Sequence, residues 1–430
     1  VVGDINVEEM EKKIIKEFSK YKNPRKAPER KYFDVPNHKE TFVAIETDKE
    51  ATSPNVQIVY KDQGLPIKIT TQGDLRKVTI ESLFSQMIND RLSQKSEDKN
   101  PPFIYGYSYH GKLWARTKEA YQSVSMAKEN GQLDALKALV LENERVKKYC
   151  FTQEELDRAK SEVLVYAEKS FSERDKQNSS YFVNKYQSHF LEQTPISNPD
   201  WAYEFMKSVV PTIKLAEINE LITKYIHDDN RVVILTGPEK DGIIKPTEAQ
   251  VLAQLKVNEA EVTPYNEVKL PEQLVTNLPA PGKIVKRDEN KKLGTKSFTL
   301  SNGAKVTYKV TDFKNDEILF QAVSKGGTNL LSDATYKQLA TAISGVARTG
   351  VAGVKAVDLP KYYAGKYVSV NPYISSTSEG FSGTATPKDL EYLFEGVYAY
   401  VTNLNYDEET FKTNADKNLS FMKNILSQPS

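Results

Sequence analysis

The sequence predicts an α+β protein in which two copies of one unit, each a mixed or antiparallel sheet covered by helices, flank a linker. Three observations point there. Segments that alternate apolar and polar residues are interleaved with segments of helical apolar spacing along the whole chain. Four prolines fall between Pro264 and Gly282 in a stretch without periodicity, and the charged KRDENKK run, 286–292, comes directly after; together they read as a linker. The third is an internal repeat. LDALKALV…CFTQEEL before the linker and LEYLFEGVY…NYDEETF after it share a helix, a turn carrying an aromatic residue and an acidic helix start, with Thr152 and Asp407 in equivalent capping positions.

Val1-Val2 reads as the end of a strand that turns at Gly3-Asp4 into a helix capped by Asn6, with Glu9 three residues on. Val7, Met10, Ile14, Phe18 and Tyr21 give that helix one apolar face. ETFVAIETD and NVQIVYK come next as strands. LRKVTIESLFSQMINDRL is a long amphipathic helix, and the tyrosine-rich FIYGYSYHG and YQSVSMAK alternate as strands do. Two helices come after them, the second opened by the Thr152-x-x-Glu155 capping box. LAEINELITKYIHDDNRVVILTGPEK supplies a helix, a turn and a buried strand ending at Gly237, a closing unit similar to the one that opens the chain. Beyond the linker, FTLSNGAKVTYKV is a hairpin turning at Asn302-Gly303, EILFQAVSKGG a strand, and DATYKQLATAISGVA a helix. Strands around YVSVNPYISSTSEGFSGTAT and a last pair of helices complete the second copy.

The 430 residues suffice for two or three domains at about 150 residues each. With 59 basic and 58 acidic residues the net charge is +1, which excludes a chain-wide electrostatic footprint for nucleic acid or an anionic membrane. No apolar run approaches the ~20 residues of a membrane helix. Cys150 is the one cysteine, so neither an internal disulfide nor a cysteine-rich zinc ribbon is available; it is expected to pack beside Phe151. Neither end carries a targeting pattern, and the chain reads as a fragment.

The strongest hint of chemistry is HFLEQ, His189 to Gln193, one residue from the H-x-x-E-H motif in which two imidazoles hold zinc and a glutamate acts as base. Here Gln193 replaces the second imidazole, and Pro195 disfavours helical angles just beyond it. Phe182, Tyr186 and His189/Phe190 share a stripe, which places His189 in or at the edge of a core rather than on a metal. The other histidines, His38, His110 and His227, are too far apart in sequence to share a helical turn, so no metal ligand is predicted. GVARTGVAGVK, Gly345 to Lys355, has a G-x-x-x-x-G spacing without the Lys-Ser/Thr of a phosphate loop and reads as a glycine-rich loop. GFSG, Gly380 to Gly383, is too short for a nucleophile elbow. The carboxylates are assigned to solvated helix faces, as in EEMEKK and EELDRAK.

Taken in order, VVGDINVEEMEKKI, LFSQMINDRL, CFTQEELDRAK, NRVVILTGPEK, LSNGAKVTYKV and FQAVSKGGTNLLSD resemble stations of the pitrilysin/insulinase (inverzincin) zinc metallopeptidases. The resemblance implies the mitochondrial-processing-peptidase-like metallohydrolase fold: four related domains in two halves that close around a chamber for peptides. It assigns residues 1–29 to the end of the catalytic first domain, 30–245 to the second domain, 246–292 to the linker and 293–430 to a truncated, non-catalytic third domain. By that resemblance the zinc helix would lie upstream of Val1, and its counterpart in the third domain, KQLATAISGVA from Lys337 to Ala347, has no His, Glu or Asp. The resemblance therefore implies a central, non-catalytic part of a zinc-dependent peptidase, chamber wall and hinge, with zinc in the parent protein and none in this chain. Its partners would be peptide substrates and the remaining domains of the same polypeptide, with no nucleic acid and no membrane. The alternative is a non-catalytic family member that binds peptides or serves assembly. The sequence sets no compartment; a bacterial parent would be compatible with a periplasmic or other extracytoplasmic location.

Overall fold

The structure, a computed structural model, describes residues 2–29, 31–66, 68–98, 100–339, 345 and 348–426. The chain divides into two compact units: Val1–Leu164 with Gln177–Glu267 and Glu408–Ser430, and Val165–Lys176 with Val268–Asp407.

The first unit is built on a five-stranded sheet of β1 (Phe42–Asp48), β2 (Asn55–Lys61), β3 (Phe103–Lys112), β4 (Glu119–Ala127) and β5 (Arg231–Pro238), in the order β1-β5-β2-β4-β3. Only β1 and β5 run parallel; the other pairs are antiparallel. The helix α1 (Val7–Phe18) is capped by Asn6 as its sequence requires, with the Glu9 amide donating to Asn6 Oδ1 at 3.0 Å. The next helix, α2 (Gln72–Ser96), begins at a Thr71/Asp74 capping box. Ile80, Phe84, Met87, Ile88 and Arg91 recur at helical spacing on its buried face. α3 (Gln132–Tyr149) stops where Cys150 turns to φ 61°, and Thr152 and Glu155 then cap α4 (Gln153–Ser172) reciprocally. α5 (Ser179–Glu192), α6 (Pro199–Val209) and α7 (Leu215–Tyr225) complete the run of helices before β5. Phe84, Phe151, Tyr121 and Tyr225 pack in the core between the helices and the sheet, three of their contacts edge-to-face at 5.2 to 5.8 Å.

The second unit holds two three-stranded sheets. In one, β6 (Ile284–Asn290), β7 (Thr295–Leu300) and β8 (Lys305–Tyr308) form an antiparallel meander whose last turn places Gly303 at φ 88°. In the other, β9 (Ile318–Lys325), β10 (Val368–Ile374) and β11 (Ser378–Ala385) are ordered β10-β11-β9. A small core gathers Leu274, Val351, Val354, Tyr362 and Ala399. The Glu395 carboxylate ties it together, accepting from the Leu274 amide at 2.8 Å and the Tyr362 hydroxyl at 2.9 Å.

Three expectations need correction. The KRDENKK run is largely strand β6, because a two-stranded pairing with β7 satisfies its backbone while every side chain stays in solvent. Val2 is not in a strand, and Val1, the other residue of that expectation, lies outside the described residues. The apolar stripe of α5 is not core: that helix has no buried residue, and Phe190 is exposed by 84%. Periodicity marks a face that can be buried, and says nothing of what covers it.

Candidate functional site: a carboxylate-caged histidine

The H-x-x-E-Q segment has no metal geometry. His189 lies exposed at the end of α5, its Nδ1 2.8 Å from the Thr194 carbonyl. Gln193 adopts the left-handed conformation (φ 59°) and closes the helix by donating its amide to the His189 carbonyl at 2.8 Å. His189 is therefore a surface capping residue, not the core histidine expected from its stripe. His38 stacks on Phe42 at 3.8 Å, and His227 meets the Tyr60 ring edge-on at 5.8 Å. Cys150 is half-buried and packs against the core that contains Phe151, as anticipated.

The glycine motifs are structural. Gly350, at φ 94°, sits where a side chain would strike the Val354 carbonyl, in a turn clasped by Asn405. Residues 346 and 347 of that loop, and residues 340–344, 346 and 347 of the segment compared with the zinc helix, lie outside the described residues. GFSG is the middle of β11, where a Cβ on Gly380 would come within 1.9 Å of the Ala322 carbonyl; it is a tightly packed strand, not a strand-to-helix elbow.

What the fold does assemble is a cluster around His110. The period-two alternation of β3 turns Tyr105, Tyr107 and Tyr109 to solvent and Ser108 and His110 inward. Only 5% of the His110 side chain is exposed, and its ring lies flat against Tyr225 at 4.5 Å. Three elements bring carboxylates to it. Asp62, just past β2, places Oδ2 3.0 Å from Nε2. Glu81 on α2 places Oε2 3.6 Å from Nδ1. Glu119 opens β4, and its carbonyl accepts the Asp62 amide at 2.9 Å, which makes the two acids cross-strand neighbours.

The electrostatics derive from this geometry. Burial alone would lower the His110 pKa, but hydrogen bonds and charge from Asp62 and Glu81 outweigh it and raise the group to about 9. Burial works against the charge on Glu81 too, yet His110 and Lys224 hold its pKa below the usual range. Glu119 is pushed up, by burial first and by its acidic neighbours besides, against the pull of His110 and Lys224. The cluster borders a cavity of about 500 Å³ whose lining includes Asp62, Asp74, Glu81, Glu119, Lys224 and Asp229. Lys77 and His227 line the same cavity, so its wall carries both signs of charge.

Sequence spacing missed Asp62, Glu81, Glu119 and Tyr225 because they come from four elements: the register of β2, β3 and β4 places the first and third beside His110, and the packing of α2 and α7 brings the other two. The inward parity of His110 on β3 was the one legible signal.

Residues 1–163 match the peptidase M16 inactive domain. A zinc protease PQQL-like protein of Arabidopsis thaliana is 28% identical over 324 residues, covering 74% of this chain and 30% of the plant protein. The periplasmic protease PqqL of Escherichia coli superposes with a TM-score of 0.53 at 19% identity, over 98% of this chain and 46% of that one. A mutant of the ferredoxin protease FusC, solved with Arabidopsis ferredoxin, superposes with a TM-score of 0.56 at 17% identity, over 99% of this chain and 47% of that one. The chain thus spans less than half the length of these proteins.

Proposed function

Carrying a match to the M16 inactive domain, this chain is a relative of the pitrilysin/insulinase-type zinc metallopeptidases, and we propose that it is the non-catalytic, peptide-holding part of a longer zinc-dependent peptidase. The observation that carries this reading is the M16 inactive-domain match in a chain whose one H-x-x-E-x segment is an exposed helix end, with Gln193 turned into a cap. The catalytic zinc and its general base are assigned to other parts of the full-length polypeptide. This chain contributes wall and hinge to the peptide chamber, with residues 30–245 as the second domain, 246–292 joining the halves and 293–430 as part of the third.

A wall that holds many peptide sequences needs backbone donors and acceptors more than shaped pockets, and an open sheet edge supplies them. β3 is an edge strand with a stacked tyrosine ladder, Tyr105 to Tyr107 at 6.4 Å and Tyr107 to Tyr109 at 5.9 Å. Its edge is partly closed, however: Asn89 of α2 accepts from the Ser108 amide at 2.7 Å and donates to the Ser108 carbonyl at 3.0 Å, as a neighbouring strand would. β9 has no such cap among the described residues. It pairs there with β11 alone, contains no proline, and exposes Leu319 and Val323 on one face by 75% and 63%. β9 is the better candidate for adding a peptide as an extra strand.

Fluorescence anisotropy with labelled, extended, apolar peptides tests this. Binding without turnover is expected, weakened at least tenfold by Leu319→Lys/Val323→Lys, since charges on an open edge discourage pairing. Undiminished binding by that variant would remove β9 from the account.

A further inference from the structure

We propose that Asp62, His110 and Glu119 form a binding site for one divalent transition-metal ion of the zinc class. Among the described residues these three alone offer a His and two carboxylate donors within 4.8 Å of one another. Three features distinguish them from an ordinary acidic cluster.

The first is donor geometry. Two ligands on a tetrahedral zinc with bonds of about 2.0–2.1 Å stand about 3.3 Å apart, and His110 Nε2 and Asp62 Oδ2 are 3.0 Å apart. Glu119 completes the set by a rotation of its side chain. Among the described residues no hydrogen bond or ion pair holds its carboxylate elsewhere, and it faces the cavity that would admit the ion and its water.

Orientation of the imidazole is the second. A metal-bound histidine nearly always gives its other ring N–H to a carboxylate or carbonyl, which fixes the tautomer. Glu81 Oε2 stands 3.6 Å from Nδ1, a small rotation from accepting that proton, and Lys224 in turn approaches Glu81 at 3.5 Å.

The third is a buried polar atom without a partner: Asp62 Oδ1 meets no donor among the described residues. Unsatisfied buried polar atoms are costly and rare. A bound ion would satisfy it by ligation. The Tyr225 hydroxyl, buried against the His110 ring, is drawn to Glu81 and helps to hold that carboxylate beside Nδ1.

One nitrogen and two carboxylate oxygens suit zinc, cobalt or manganese better than magnesium or calcium, which prefer oxygen alone, or copper(I), which prefers sulfur. Binding exchanges the His110 proton for the metal, so two carboxylates and a neutral imidazole leave the loaded site with no net charge.

The test is calorimetric titration of the chelator-treated full chain with zinc chloride and, separately, cobalt chloride, whose visible spectrum reports coordination. One ion per chain is expected. Glu119→Gln and Asp62→Asn should weaken zinc binding at least tenfold, Glu81→Gln should weaken it tenfold to a hundredfold through the imidazole, and His189→Ala should leave it unchanged. Circular dichroism of each variant separates lost binding from lost folding, and the near-isosteric carboxamides remain informative if His110→Ala does not fold. Absence of stoichiometric zinc or cobalt binding by the wild-type chain would overturn the proposal. So would binding indifferent to Glu119→Gln and Asp62→Asn, or a site that takes only organic ammonium ions.

Discussion

Replacing Arg91 by methionine should destabilise the first unit by about 3–5 kcal/mol, the range for removing one partner of a buried ion pair. Arg91 is 2% exposed. Its guanidinium grips Glu155 at two points, Nε to Oε1 at 2.6 Å and Nη2 to Oε2 at 2.8 Å, donates to the Cys150 carbonyl at 3.1 Å and stands 3.6 Å from Glu142. The rings of Phe151 and Tyr265 lie 4.8 and 4.4 Å from its centre. Methionine keeps contact with both rings but leaves two buried carboxylates with less compensation. At roughly 2–4 °C per kcal/mol for a unit of this size, the melting temperature should fall by about 6–20 °C at pH 7. The loss should depend on pH. Glu142 already has its pKa raised by burial against the pull of Arg145 and Arg91, and losing Arg91 raises it further. A carboxyl whose folded pKa exceeds its unfolded value binds extra protons in the folded state, so stability falls as pH rises through that window. The deficit should therefore be smaller at pH 5 than at pH 8. Adding Glu155→Gln should recover part of it, because glutamine still serves the capping box. Calorimetry of the three proteins across pH decides. A melting temperature within 2 °C of wild type at pH 7, or a deficit independent of pH, would refute the reasoning.

Glu162 is pushed up to about 7, by burial first and then by Asp90, so its contribution fades as pH rises from about 4.5 towards 7. Glu162→Gln should gain about 1–2 kcal/mol at pH 8, after discounting for partial exposure, and nothing at pH 4; denaturant melts at the two pH values measure it. Limited proteolysis should cut first between residues 276 and 283, exposed and without helix or strand, and early cleavage within α2 would contradict the unit division.

The secondary structure was legible wherever local chemistry decides it. The caps at Asn6 and Thr152, the Asn302-Gly303 turn and the strands β2 to β5 all stand where their residues require. What failed depended on a neighbour. The charged β6 is a strand because β7 pairs with it, and the stripe of α5 is exposed because burial depends on what lies opposite. The His110 cluster was invisible for the same reason, since nothing local links Asp62, Glu81, His110 and Glu119. The family resemblance, by contrast, lay in the order of its stations along the chain, which needs no three-dimensional information.

The most direct measurement of the central claim is cleavage of a quenched-fluorescent peptide library, by this chain with zinc and by the full-length polypeptide that contains it. The account predicts no turnover by the chain alone and chelator-sensitive turnover by the full-length protein. Chelator-sensitive cleavage by the chain alone would contradict its non-catalytic role. Silence from the full-length protein, with peptide binding retained, would contradict the peptidase reading in favour of a binding or assembly subunit.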